Sequence, residues 1–191
     1  SLSPLFLQVL NLLVTPAGSL AYHLVLVFSL LGALQVSQNH PAQPGSSAPL
    51  RRTALGLGFL LALQLALFVV SLLANQGVLN AADWLPPVDR AVILLSLVFI
   101  IWLWAFPQPS PAGDSAALLL ALLALTAAVL GALWWVEQDP ALPFNQSWLD
   151  QTAQIASLAL LAVGALLLLA RRPAGWSLGL VMFVLLSLGH A

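Results

Sequence analysis

Long apolar runs separated by short polar segments are the dominant pattern along this chain. A helix that crosses a bilayer core needs about 20 mostly apolar residues, and six runs reach or approach that length. We therefore predict an all-α fold, a polytopic membrane helix bundle in which residues 1–191 form a single membrane domain. The predicted spans are 18–35, 53–75, 88–106, 115–136, 149–170 and 175–191.

A shorter apolar stretch at residues 3–15 precedes the first span. Thr15-Pro16 and Gly18 interrupt any continuous helix between the two. Gln8 and Asn11 lie three residues apart, which places two amides on one side of an otherwise apolar helix. This favours a short helix at the membrane interface or tucked against the bundle. A half-membrane re-entrant helix is the alternative.

Both ends of the sequence suggest a piece of a larger region. Residue 1 is Ser, the single Met is Met182, and the last residues stop inside an apolar run. We therefore expect further chain on both sides, with about seven spans in the full region.

Composition supports the membrane assignment and excludes several functions. Apolar residues make up 61% of the chain and charged residues 6%, whereas a soluble domain carries about 25% charged residues. Five Arg and no Lys cannot form a basic surface for nucleic acid. The absence of Cys excludes disulfides, thiolate metal sites and a Cys nucleophile. We expect no cofactor and no nucleic-acid partner.

The distribution of Arg predicts the orientation. Arg51, Arg52, Arg171 and Arg172 lie in loops on one side of the predicted bundle, and Arg90 lies on the other. Short cytoplasmic loops carry an excess of Lys and Arg. The N-terminus is therefore predicted to lie outside.

No predicted span has an ionisable residue near its centre, apart from at most a His. Pumps and ion-coupled transporters need intramembrane ionisable groups, so these functions are disfavoured, as is an intramembrane enzyme. His23 and His190 both fall toward the outer half of the predicted bundle. Shared haem or metal ligation by these two is the alternative interpretation, but no third intramembrane His accompanies them. A neutral His bonded to a neighbouring helix or to interfacial water is the favoured interpretation.

Arg90 is the candidate functional residue that stands out most. Pro86-Pro87 precedes it and is predicted to open the helix. Asp89 suits the positive helix N-terminus, but Arg90 does not, and it also opposes the orientation rule. Adjacent residues do not share a helix face, so Arg90 needs a partner other than Asp89. The candidate partners are Glu137, Asp139 and Asp150. The predicted role is a clamp between outer helix ends, or alternatively a contact with an anion or lipid headgroup.

Other polar and aromatic residues gather at the same predicted end. Asp150, Gln154 and Ser157 share one helix face, which bounds an outward-facing cup or simply packs against neighbouring helices. Aromatic belts at the two interfaces account for all seven Trp. Alternatively, the outer Trp wall a pocket for an apolar or cationic ligand through cation–π contacts. The candidate clamp or ligand cup comprises Arg90, Asp89, Glu137, Asp139, Asp150, Gln154, Trp84, Trp135 and Trp148.

The segment LPPVDRAVILLSLVFIIWLWAFP at 85–107 and the end LSLGHA at 186–191 resemble a known family. They are similar to the N-terminal multi-pass membrane region of bacterial, Chloroflexi-type sensor histidine kinases that contain GAF or PAS modules. The resemblance implies a sensory or anchoring region in the bacterial inner (plasma) membrane, non-catalytic in itself. The lipid bilayer is then the main partner. A homodimer and a small apolar or cationic ligand at the outer face stay open. The alternative function is a subunit of a small-solute or lipid transporter or channel.

Overall fold

The computed structural model describes residues 20–39, 48–138 and 143–190. The predicted helix at 3–15 lies outside these ranges, as do His40 and Asp139. Six α-helices and one 3-10 turn account for the secondary structure of the described part. They are α1 Leu20–Asn39, α2 Ala48–Asn75, α3 Ala81–Ala105, α4 Pro111–Glu137, the 3-10 turn Phe144–Gln146, α5 Trp148–Arg171 and α6 Trp176–Leu188.

Four of these helices, α2 to α5, are long and apolar enough to cross a membrane. The apolar parts of α1 and α6 are shorter, at Leu24–Ala33 and Trp176–Leu188. The described residues are therefore all-helical, as predicted, with four helices long and apolar enough to cross a membrane. The count of six spans and the outside N-terminus stay predictions.

Two helices begin earlier than the apolar runs indicated. α2 begins at Ala48 rather than at residue 53, so Arg51 and Arg52 are helical and not part of a loop. α3 begins at Ala81, where the side chain of Asn80 accepts the backbone N–H of Ala82 at 3.1 Å. The prediction that the proline pair opens the helix was wrong. The Asn80 cap starts the helix first, and the two Pro then only remove backbone donors near its beginning.

Helix α3 is the centre of the bundle. It packs against α1, α2, α4, α5 and the 3-10 turn, while α6 packs against α1 and α5. In the most apolar part of α3, 67% of the residues are buried, compared with 6% in α4. Helix α4 packs mainly on α3, so most of its surface faces away from the protein. The fully buried aliphatic and aromatic side chains of the core are Leu26, Leu30, Leu60, Leu97, Ile100, Leu161, Leu168, Phe183 and Leu186.

Trp104 belongs to this core rather than to an interfacial aromatic belt. Its side chain is 2% exposed. The indole Nε1 donates to the backbone carbonyl of Ser29 at 3.2 Å and lies 3.3 Å from the Ser29 hydroxyl. The belt interpretation was wrong at this position, because the residue turns toward α1 and satisfies its indole N–H inside the protein.

Candidate functional site

Arg90 and Asp150 form an ion pair that joins α3 to α5. The Arg90 Nε donates to Asp150 Oδ1 at 2.5 Å, and Gln154 Nε2 donates to Asp150 Oδ2 at 2.6 Å. Asp150 is completely buried. Its position follows from the start of α5, where the hydroxyl of Ser147 accepts the backbone N–H of Asp150 at 3.2 Å. Both carboxylate oxygens of Asp150 thus accept a hydrogen bond. Of the three candidate acids, Asp150 is the one that pairs with Arg90.

A second polar pair lies beside this ion pair. The hydroxyl of Tyr22, on α1, is 2.6 Å from Nε2 of His190, just after α6, and the two rings meet edge to face. Both side chains lie within electrostatic range of Arg90, and Tyr22 also lies within range of buried Asp89. We call Arg90, Asp150, Gln154, Tyr22 and His190 the Arg90 cluster.

At one end of the bundle the Arg90 cluster joins α3 to α5 through Asp150 and α1 to the chain after α6 through Tyr22 and His190. His190 therefore bonds to a neighbouring helix, the interpretation favoured from the sequence. Sequence reasoning missed Tyr22, although it is the single Tyr of the chain. The side chain of His23 lies outside the described part. Among the described residues, no three His, Asp or Glu side chains come together as a metal site.

The remaining candidates do not join the Arg90 cluster in one cup. Glu137 is exposed at the end of α4, and Trp84 is half-buried in the first turn of α3. Trp135 is buried and packs edge to face on Phe144 with ring centroids 5.0 Å apart. Its indole Nε1 has no hydrogen-bond partner in the described part of the chain. Trp135 is thus neither a belt residue nor a wall of an open pocket.

Trp148 belongs to a different feature, a lateral cleft between α4 and α5. The cleft has a volume of about 810 Å³, and α3 forms its floor. Trp134 and Trp148 meet edge to face at 5.4 Å on its rim. Small side chains leave this space open, because α4 and α5 present Ala and Gly where larger side chains would fill the gap between the helices. These small lining residues are Ala124, Ala127, Ala128, Gly131, Ala132, Ala153 and Ala156.

The lining of the cleft is apolar with few exceptions. Arg90 and Thr152 are its charged and hydroxyl side chains. The Thr152 hydroxyl donates to the carbonyl of Trp148 at 2.7 Å. Arg90 uses Nε for Asp150, and no hydrogen bond of its two terminal nitrogens occurs among the described residues. The cleft therefore offers an apolar trough with guanidinium donors at one end.

A second polar cluster lies at the opposite end of α3. Arg52 Nη1 lies 2.6 Å from Asp114 Oδ1, and Arg52 Nη2 donates to the carbonyl of Phe106 at 2.9 Å. Trp102 Nε1 donates to Asp114 Oδ1 at 2.9 Å, and the guanidinium lies 4.5 Å from the centre of the Trp102 ring. We call these four residues the Arg52 cluster. It connects α2, α3 and α4.

Sequence reasoning used Arg52 only to orient the chain and assigned Trp102 to a belt. The available signal was Asp114, the single acid between Asp89 and Glu137 in the sequence. Its position in the first turn of α4, behind the Ser110 cap and Pro111, brings the carboxylate to Arg52 and Trp102.

Comparisons with known proteins add no assignment. This chain matches no protein-family model, no curated protein and no solved structure. The resemblance to sensor-kinase membrane regions is therefore untested, and a proposal about function rests on the geometry.

Proposed function

We propose that this chain is the membrane-embedded sensory region of a signal-transduction protein and is non-catalytic in itself. The supporting observation is that one buried helix, α3, carries a member of both polar clusters. Arg90 and Trp102 are about 18 Å apart along α3, at 1.5 Å per residue. In the proposed orientation the Arg90 cluster lies at the outer face of a bacterial inner membrane and the Arg52 cluster at the cytoplasmic face.

The proposed mechanism is a shift of helix packing between two states. A helix packed on most sides moves as a unit rather than bending continuously, because protein interiors are close-packed. Helix α4 borders the cleft through Trp134 and enters the Arg52 cluster through Asp114. A ligand in the cleft would favour one position of α4 on α3, and the Arg52 cluster would report that change to the cytoplasmic side.

Transport of polar solutes is less well supported. The charged contacts described above lie toward the ends of α3, and the cleft between α4 and α5 is lined mainly by apolar side chains. The cleft does favour one form of the alternative, a transporter of lipids, because it opens sideways along two helices. This second candidate predicts lipid movement without any signalling output.

The sensory proposal is tested on the full-length protein. In the proposed orientation residue 190 lies at the outer face, so we expect the coding sequence beyond residue 191 to cross the membrane once more and then enter a cytoplasmic signalling domain. In nanodiscs, Asp114→Asn should change its output by about fivefold or more, the lower end of usual allosteric couplings. Arg51→Gln is the matched control, because Arg51 is exposed one residue before Arg52.

Two results would contradict the sensory proposal. One is a reading frame that ends shortly after residue 191, and the other is an unchanged output in Asp114→Asn. The lipid-transport candidate is tested separately by the movement of labelled lipid between leaflets of proteoliposomes. Movement by the wild type that is lost in Ala127→Phe, at a small residue lining the cleft, would support transport instead.

A further inference from the structure

The size and shape of the cleft between α4 and α5 match a lipid tail. Its volume of about 810 Å³ lies within the range of about 300–1,000 Å³ that is usual for ligand sites. Its lining on α4 extends from Leu120 to Trp134, which is about 21 Å of helix. One leaflet contributes roughly 15 Å of hydrocarbon. An acyl chain of the bilayer therefore fits within the length of the cleft.

Arg90 supplies the polar contact at one end of this trough. Its side chain is 19% exposed, and its terminal nitrogens carry N–H groups that no described residue accepts. Asp150 holds the guanidinium in place through Nε. A phosphate oxygen is a suitable acceptor, because Arg–phosphate hydrogen bonds are charge-assisted and directional.

The same end of the cleft also offers groups that attract a cation. Trp134 and Trp148 are 41% and 58% exposed, and exposed indole faces bind ammonium groups. Glu137 is exposed three residues after Trp134, on the same side of α4. Asp150 pairs with Arg90, so Arg90 brings no uncompensated positive charge to this end of the cleft. A purely anionic headgroup is therefore disfavoured, whereas a headgroup with both charges fits.

We infer that the cleft between α4 and α5 binds one zwitterionic phospholipid of the bilayer. One acyl chain occupies the apolar trough, the phosphate accepts hydrogen bonds from Arg90, and the ammonium lies against Trp134 and Trp148 near Glu137. The inference deepens the proposed sensory function by naming its ligand class. Lipid binding is measured directly, without any signalling output. The binding inference can therefore fail while the sensory proposal holds, and the sensory proposal can fail while lipid binding is found.

Native mass spectrometry of the purified chain with added lipid tests this inference. The probes are phosphatidylethanolamine, phosphatidylglycerol and palmitate, which separate the zwitterionic head, an anionic phosphate head and a free carboxylate. We expect one phosphatidylethanolamine per chain, bound about tenfold more tightly than either other probe, which equals about 1.4 kcal/mol. Equal affinity for phosphatidylglycerol or palmitate would overturn the zwitterionic assignment, and the absence of saturable binding would overturn the site.

Variants locate the binding in the cleft. Ala127→Phe fills the trough and should lower affinity at least tenfold, whereas Ala66→Phe, at an exposed Ala on α2, should leave it unchanged. Arg90→Lys keeps a positive charge for Asp150 but removes the forked donors, so it should reduce the preference for phospholipid over palmitate. Wild-type affinity in Ala127→Phe, or an equal loss in Ala66→Phe, would contradict this location.

Discussion

Replacing Asp150 by Asn should destabilise the bundle more than any other single removal of charge described above. The Asp150 side chain is 1% exposed, and its partner Arg90 is 19% exposed. Removing one member of a buried ion pair typically costs about 3–5 kcal/mol, because the remaining charge stays buried without compensation. Arg90 keeps some access to solvent, which favours the lower end of that range. Loss of the negative charge in the first turn of α5 adds about 0.3–1 kcal/mol.

The matched comparison is the same substitution in the other ion pair. The Asp114 side chain is 43% exposed but that of Arg52 is 9% exposed, so this pair lies between an exposed and a buried one. Without the Asp114 carboxylate, Arg52 keeps its hydrogen bond to the Phe106 carbonyl and its contact with the Trp102 ring. Asp114→Asn should therefore cost clearly less than Asp150→Asn, and Glu137→Gln, at an exposed acid, should cost nothing measurable. Reversible unfolding in mixed micelles, followed by circular dichroism, measures the three free-energy changes.

A double variant tests whether the pair acts as a unit. Arg90→Met combined with Asp150→Asn should cost less than the sum of the single changes, because no uncompensated charge is left inside the protein. The reasoning fails if Asp150→Asn stays within 1 kcal/mol of wild type, or if Asp114→Asn costs as much.

Two further predictions concern packing between helices. Gly164→Ala should destabilise the protein by about 1–3 kcal/mol through overpacking, because an added Cβ would lie 2.7 Å from Cε2 of Phe183. In the control Gly58→Ala, the added Cβ meets nothing within 4 Å. This control should stabilise α2 by up to about 1 kcal/mol. The same unfolding assay decides this, and equal effects of the two would contradict it. Trp104→Phe should cost at least about 1 kcal/mol, because it removes the indole donor to Ser29 and leaves a cavity; an unchanged stability would show that this contact contributes nothing.

The lengths of the apolar runs predicted the bounds of α5 better than the beginnings of α2 and α3. For α5 the predicted span 149–170 falls within one residue of Trp148–Arg171 at each end, because a Ser cap and an Arg pair with a following Pro bound the apolar run. For α2 and α3 the polar beginnings were missed. Arg51, Arg52 and Asp83 lack the apolar character of a span, yet all three are helical. At α3 the side chain of Asn80 caps the helix before Asp83.

The sequence also indicated that Arg90 needs an acid, because a cation near a helix N-terminus opposes the helix dipole. It could not choose among Glu137, Asp139 and Asp150. That choice depends on how far α4 and α5 stand apart around α3. It is a property of packing between segments about 60 residues apart in the chain, as the sequence separation of the Arg90–Asp150 bond shows.

By itself, the sequence determined that this chain forms apolar helices in a membrane, roughly where they lie, and which charged residue stands out. Only the tertiary structure decided which helix is central, that Trp104 faces the core, that Tyr22 meets His190, and that a cleft separates α4 from α5. The physical reason is the solvent. Lipid makes the outer face of a helix as apolar as its buried face, so the hydrophobic period that reveals the core of a soluble protein is lost.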